Sequence, residues 1–552
     1  MYICNYMKRR FFLFLFLSFY CTATISAQPE SDKKALKQLK SDIEYLASDA
    51  LEGRRTATAG EAKAADYIQK RYEALKIPAY KNSYRQEFPF IYGKDTTGKN
   101  ELTIDDNKLI IFEDYFPLPF SANTQKSLHT DVLPDMLEHG GIWLLPLYSD
   151  KTDAENAHFD YEKTIKEKTD NAKKQGAAAV MFFDNVGSKY PAEYNRLSET
   201  EPTTLPVIVL TYDAYNKYIK PHTEGVTVSL DVHIKKAEFT GTNVAAFIDN
   251  KAPYTVVIGA HYDHLGYGED GGSTYRGKEK MVHNGADDNA SGTAGLLQLA
   301  DWIHKKKLRN YNYLFINFSG EELGLFGSKA IVKQMNMDST SVAYMINMDM
   351  IGRLNDSTNA LTLGGVGTSP AWEKVVEEGK KKYHLALDSS GVGPSDHTSF
   401  YHQGIPVLFF FTGIHHDYHK PSDDADKINY KGELGILKYA FGIVEWMDTR
   451  PKPKFTPTKQ NSIGKVRFKV TLGIMPDYSY QEGDGIRVDG VSEDRPAIKA
   501  GIKAGDVITK LGENKVTGMQ SYMEALGKFN TGDKTTATVK RGNKELILNV
   551  TF

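Results

Sequence analysis

Cysteine is nearly missing from this chain, with Cys4 and Cys21 alone among 552 residues. Both lie in an N-terminal stretch ordered like a secretory signal: Lys8-Arg9-Arg10, an apolar run from Phe11 to Cys21, then small residues from Thr22 to Ala27. We expect residues 1–27 to direct export, with cleavage after Ala27, leaving a periplasmic or extracellular protein. Lipid attachment at Cys21 is the rival reading, but Tyr20 is bulky where a bacterial lipobox has a small residue. The mature chain then has no thiol, so disulfides and cysteine-held metal are excluded and any metal must use His, Asp and Glu. A run of about 18 apolar residues is also missing beyond the signal, which excludes a spanning helix there. Nor is there an excess of one charge. Lys plus Arg number 68 and Asp plus Glu 70, without a long block of either sign, which argues against nucleic acid as a partner.

What is present is length enough for about three to four domains. From Ser31 to Lys76 the spacing of Leu36, Leu39, Ile43 and Leu46, and of Ala64, Ala65, Ile68 and Tyr72, predicts helices around the Gly- and Thr-rich loop Leu51–Gly60. Between Leu109 and Asp231 four strand-like runs stand out, Gly141–Leu147, Ala178–Phe183, Leu205–Leu210 and Val226–Asp231. That stretch has no clustered His and carboxylate set and reads as a lid or substrate platform. From Thr242 to Thr449 strands and helices alternate, which implies an α/β fold with a largely parallel sheet covered by helices.

Three polar islands follow apolar runs in this last segment: GAHYDHLG after Thr255–Ala260, GADDNASG before a helix, and FSGEELG at the end of Tyr313–Phe318. Ligands bind in open α/β sheets outside the carboxyl ends of strands, which is where these islands fall. His261 and Asp263 are two apart and point to one side of an extended chain, so Asp263 would orient the imidazole. Glu321 and Glu322 are adjacent, so one would face a metal and the other a water. Asp349 ends another strand, and His419 lies in DYHKPSD. Together these residues make a nitrogen and oxygen ligand set suited to zinc, although Mn or Co fills similar sites.

The order HYD, GADDNASG, SGEELG, NMDMIG and YHKPSD resembles the bacterial dizinc aminopeptidases, relatives of aminopeptidase Y and of the glutamate carboxypeptidase and transferrin receptor ectodomains. The likeness covers the LEGRRTATAG loop and residues 243–449, and implies the zinc exopeptidase fold. Carried over by motif, it implies two zinc ions per chain: His261 on one, His419 on the other, Asp288 bridging, and Glu322 and Asp349 completing one set each. Asp288 rather than Asp287 is assigned by its place within the motif. Glu321 would be the general base, Asp263 would orient His261, and Tyr418 would stabilise the oxyanion. His264, Arg353 and the contiguous Ser395-Asp396-His397 read as loop structure and supporting residues, because a nucleophilic triad draws its members from separate elements.

Two further likenesses set the domain plan. Asn171–Phe183 with Leu205–Leu210 resembles the protease-associated domain inserted in many members of that family, and Asp489–Ile508 resembles the PDZ signature of bacterial envelope proteases. In the PDZ-like part, Leu472-Gly473-Ile474 would receive a peptide C-terminus, the chain adding as a strand. The expected plan is signal peptide 1–27, N-terminal part of the peptidase domain 28–108, inserted domain 109–235, catalytic domain 236–449, Pro- and Lys-rich linker 450–461 and PDZ-like domain 462–552. Peptides are the expected substrates, trimmed from the N-terminus. The alternatives are a carboxypeptidase, a glutaminyl cyclase, or a non-catalytic peptide binder on the same scaffold, the last of which predicts missing ligands.

Overall fold

The computed structural model describes residues 27–552 except 134–135, 157–158, 276, 278, 459–469, 477–483, 492–494 and 543. The expected signal segment up to Ser26 therefore lies outside the described residues, as does Ser492–Asp494 of the PDZ-like signature. Residues up to Phe88 together with Thr240–Phe552 form one compact unit, and Pro89–Phe239 form a second.

The first unit is built on an eight-stranded mixed sheet. Its strands, in chain order, are β1 (Arg85–Thr96), β2 (Ile234–Ile248), β3 (Thr255–His261), β4 (Asn312–Phe318), β5 (Val342–Met348), β6 (Ala360–Gly364), β7 (His384–Leu387) and β8 (Val407–Phe411). Their order across the sheet is β1-β2-β4-β3-β5-β8-β6-β7. The central four, β4, β3, β5 and β8, run parallel, while β2 and β6 pair antiparallel with β4 and β8. Strands covered on both faces read as continuous apolar runs, and every residue of β4 and β5 is buried. The helices Ala27–Leu46, Gly292–Lys306 and Tyr430–Asp448 contribute Leu39, Leu297 and Ile436 to the core on one face. On the other, Ile331 of helix Phe326–Gln334 and Phe400 of helix His397–Tyr401 pack with Ile316 and Met345.

Most of the expected elements of this region appear within a residue or two, including strand Thr255–His261 and helix Gly292–Lys306. Two strands at one end of the sheet, β6 and the edge strand β7, were not anticipated, because Ala360–Gly364 and His384–Leu387 are short and flanked by polar turns. Residues 450–458 are the described part of the expected linker. They lie against the sheet domain: Phe455 packs beside Tyr401, Thr456 N–H donates to the Thr368 carbonyl at 2.8 Å, and Lys452 reaches the Ser339 carbonyl.

Within the same unit a six-stranded sheet carries its own core of Leu472, Val488, Ile508, Leu511 and Val539. Among the described residues, the strand Ile474–Pro476 lies at one end of this sheet and pairs with Ile486–Val491 alone. Helix Met519–Leu526 contributes Tyr522 and Ala525 to the core. The second unit contains two four-stranded sheets, one of them built on Ile142–Pro146, Ala179–Phe183 and Val207–Leu210 in parallel, with the helix Tyr161–Lys174. Among the described residues, no helix is long and apolar enough to cross a membrane.

Candidate metal centre

The site forms where the parallel strands end. β3 pairs along its length with β4 and along most of it with β5, so its last residue, His261, emerges buried at the carboxyl edge of the sheet. β4 ends at Phe318, and a turn at Gly320, whose φ of 69° is left-handed, brings Glu321 and Glu322 to the same edge. Asp349 follows β5 directly. Asp288 comes from the turn ahead of helix Gly292–Lys306, where its own φ and ψ of −106° and 91° break the helical path.

These side chains converge on Asp288. Its Oδ1 lies 3.4 Å from His261 Nε2, and its Oδ2 lies 3.1 Å from His419 Nε2. His261 Nε2 is also 3.3 Å from Asp349 Oδ1, and His419 Nε2 is 3.3 Å from Glu322 Oε2. The histidines stand on opposite oxygens of one carboxylate, each with one further carboxylate. His419 Nδ1 faces the Gly272 carbonyl at 2.9 Å, which fixes the tautomer that leaves Nε2 free to accept a cation.

His264, expected to be a supporting residue, is closer in than that. Its Nδ1 is 2.8 Å from Glu322 Oε1 and 4.0 Å from Asp288 Oδ2, and its Nε2 is buried without a hydrogen-bond partner among the described residues. Among those residues two trios have donor atoms within 4.8 Å of one another: His261 with Asp288 and Asp349, and His264 with Asp288 and Glu322. His264 thus stands beside His419 on the second half of the cluster. Its position next to Asp263 in HYDH was the sequence signal for it.

The expected orientation of His261 takes a different form. Its Nδ1 faces the Asp263 main-chain carbonyl at 3.2 Å and the Asp263 carboxylate at 3.7 Å. That carboxylate accepts the Thr56 hydroxyl at 2.9 Å and the Glu321 N–H at 3.2 Å. Tyr418 stacks on His419 with ring centroids 3.8 Å apart. Arg353 pairs with Asp417 at 3.2 Å, and Asp423 accepts the N–H groups of Asp287 and Asp288. Ser395 Oγ accepts from Asn347, and His397 lies flat on Phe409 with centroids 4.5 Å apart, so the Ser-Asp-His run forms no triad.

The LEGRRTATAG loop, whose bland reading was a helix connection, reaches the same place. Arg54 donates to four main-chain carbonyls, Thr56 holds Asp263, and Glu61 accepts Ser319 Oγ and Thr242 N–H. Gly53 is required there: its φ is +68°, and a Cβ would meet the Gly266 carbonyl oxygen at 2.4 Å.

Crowding these carboxylates sets their protonation apart. Burial, with Asp349 and Glu322 nearby, raises Glu321 well above the ordinary range despite the pull of His261. Glu322 resists its burial and the repulsion of Asp288, and is drawn down to about 2 by His419 and His264. Burial works against a charged His419, yet Glu322 and Asp288 push it up to about 11. The cluster carries negative charge that protons or cations must offset, and its surroundings push two adjacent glutamates in opposite directions.

Residues 243–441 match the model of Peptidase family M28, and residues 466–552 match that of the PDZ domain. Among curated relatives, Aminopeptidase YwaD of Bacillus subtilis is 28% identical over 309 residues, 53% of this chain and 62% of its own length. Probable lipoprotein aminopeptidase LpqL of Mycobacterium tuberculosis is 25% identical over 50% of this chain and 59% of its own. The chain thus spans about three fifths of the length of these relatives. Among solved structures, BSAP, a zinc aminopeptidase from Bacillus subtilis, is 22% identical, with a TM-score of 0.44 over 77% of this chain and 96% of its own. Residues 243–441 thus form a domain of the M28 peptidase type, and residues 466–552 a PDZ domain.

Proposed function

We propose that this chain is an exported, zinc-dependent aminopeptidase that removes N-terminal residues from peptides, with two zinc ions per chain. One observation carries the reading: Asp288 offers its two oxygens to histidines on opposite sides, His261 at 3.4 Å and His419 at 3.1 Å. The donor set fits zinc in kind, since it is nitrogen and oxygen only, has His261, Asp288 and Asp349 buried, and is supported by fixed partners such as the Gly272 carbonyl. His261 and Asp349 would hold one ion, His419 and Glu322 the other, with Asp288 between them. When bound there, zinc polarises the scissile carbonyl and makes the attacking water more acidic. Relatives named as aminopeptidases support the direction of trimming.

Glu321 takes the proton from the attacking water and passes it to the leaving amine, a role that fits a carboxylate whose burial raises its proton affinity. Asp263 holds both the Glu321 N–H and the His261 side of the centre. Tyr418, stacked on His419, donates its hydroxyl to the developing oxyanion. At the PDZ domain, Leu472-Gly473-Ile474 receives a peptide C-terminus, which adds as a strand beside the one starting at Ile474, the last of its sheet among the described residues. The inserted unit, read as a protease-associated domain, acts as a substrate platform.

The test is mass spectrometry of a peptide mixture, half of it N-acetylated, after incubation with the zinc-loaded mature protein. Stepwise loss of N-terminal residues from free peptides only, stopped by a chelator, is the expected result. Trimming from the C-terminus would move the protein to the carboxypeptidase branch, and cyclised N-terminal Gln to the cyclase branch. An unchanged mixture would overturn the enzymatic reading.

A further inference from the structure

We propose that Arg54 is a positioning residue that sets the spacing between two segments of the metal centre, the strand end bearing His261 and Asp263 and the turn bearing Asp288. The inference rests on the metal reading above. Arg54 comes from the loop ahead of the second unit, outside the 243–441 match to the family, yet it is 1% exposed at the back of the centre. Its Nε donates to the Tyr262 carbonyl at 2.7 Å, between His261 and Asp263. Its Nη1 donates to the Asn284 carbonyl at 2.7 Å and also reaches Leu46, and its Nη2 donates to the Gly285 carbonyl at 2.9 Å. One planar fork therefore ties the β3 end to the turn that carries Asp288, three residues past Gly285. The main chain repeats the tie, with Gly266 N–H on the Gly53 carbonyl at 3.0 Å and His264 N–H on the Arg54 carbonyl at 3.3 Å.

The charge has its own logic. All four hydrogen bonds of the guanidinium end on main-chain carbonyls. Burying a cation so is costly unless it meets negative charge nearby, and the field of Asp263, Asp288, Asp423 and Glu322 supplies it. A residue with only a packing role needs neither a charge nor a fork. Arg54 supplies both, holding the carboxylates at one spacing whether or not cations lie among them. Lysine would keep the charge but lose the rigid span; glutamine would keep a planar amide and lose the charge.

The experiment uses the full mature chain as wild type, R54K, R54Q and R55K. Zinc affinity is measured by competition with a chromophoric chelator well below the melting temperature, the folded fraction by circular dichroism, and kcat and KM on one peptide. R55K is the control from the same loop, since Arg55 pairs with Asp270 in the 266–283 segment. Expected are folded R54K and R54Q proteins whose zinc affinity falls about 10- to 100-fold, with kcat falling more than KM rises, and R55K like wild type. A folded R54K or R54Q with wild-type zinc affinity and kcat overturns the role of Arg54. Zinc loss that merely follows the unfolded fraction in both variants overturns it as well. A wild-type chain that binds no zinc instead removes the metal reading beneath it, which keeps the two failures distinct.

Discussion

Asp423 holds Asp288 by its backbone: one Asp423 carboxylate oxygen accepts the Asp288 N–H at 3.1 Å and the neighbouring Asp287 N–H at 2.9 Å. The side chain of Asp288 is thereby left for the histidines. Asp423→Asn should weaken zinc binding about 10- to 100-fold and cost about 1–3 kcal/mol of stability. Chelator competition and denaturant titration read the two effects, and wild-type values in both would show that the contact does not matter.

Glu321→Gln should separate chemistry from metal binding. The amide cannot take a proton from water, so kcat should fall by about 10²- to 10⁴-fold while the zinc content stays near wild type. Metal analysis of the purified variant decides the point; a chain stripped of zinc would mean that Glu321 is a ligand.

The two halves of the centre should come apart one at a time. His261→Ala and His419→Ala should each lower the zinc content by about one ion per chain, and Asp288→Ala by about two. His264→Ala is the informative case, because its Nδ1 sits 2.8 Å from Glu322. Retention of about two ions with weaker affinity marks it as a partner of Glu322, and loss of one marks it as a ligand.

His397 should make the protein sensitive to acid. Burial against Phe409 pulls its pKa down to about 3, so the folded state binds fewer protons than the unfolded chain between pH 3 and the ordinary value of 6.5. Stability should therefore fall as pH drops through that window, by at most about 1.4 kcal/mol per pH unit from this group. Unfolding titrations at pH 7 and pH 5 should show a smaller difference in His397→Gln than in wild type. An identical difference would clear His397 of the effect.

Much of the sheet domain was legible because its strands are covered on both faces and so read as apolar runs stopped by polar islands. The candidate ligands were legible because the islands keep their order and those of His261, Glu321 and Asp349 follow strand ends. What escaped were residues whose meaning lies far along the chain. Arg54 and Thr56 act on Tyr262, Asp263 and Gly285 more than 200 positions away, and no local spacing announces that. His264 was seen but set aside, since a histidine one residue past Asp263 carries no periodic signal of its own. The short strands Ala360–Gly364 and His384–Leu387 were missed because five and four residues between polar turns are too few to leave a clear pattern.

The clasp between the Leu51–Gly60 loop and the strand ends has a consequence for timing during synthesis. Arg54 leaves the ribosome early, but Asp423 and His419 follow some 370 residues later, about 20 to 75 s at ordinary elongation rates. Until then the bridging turn has its brace on one side only. A cluster assembled in this order stays incomplete in the nascent chain and closes only when nearly the whole sheet domain has been made.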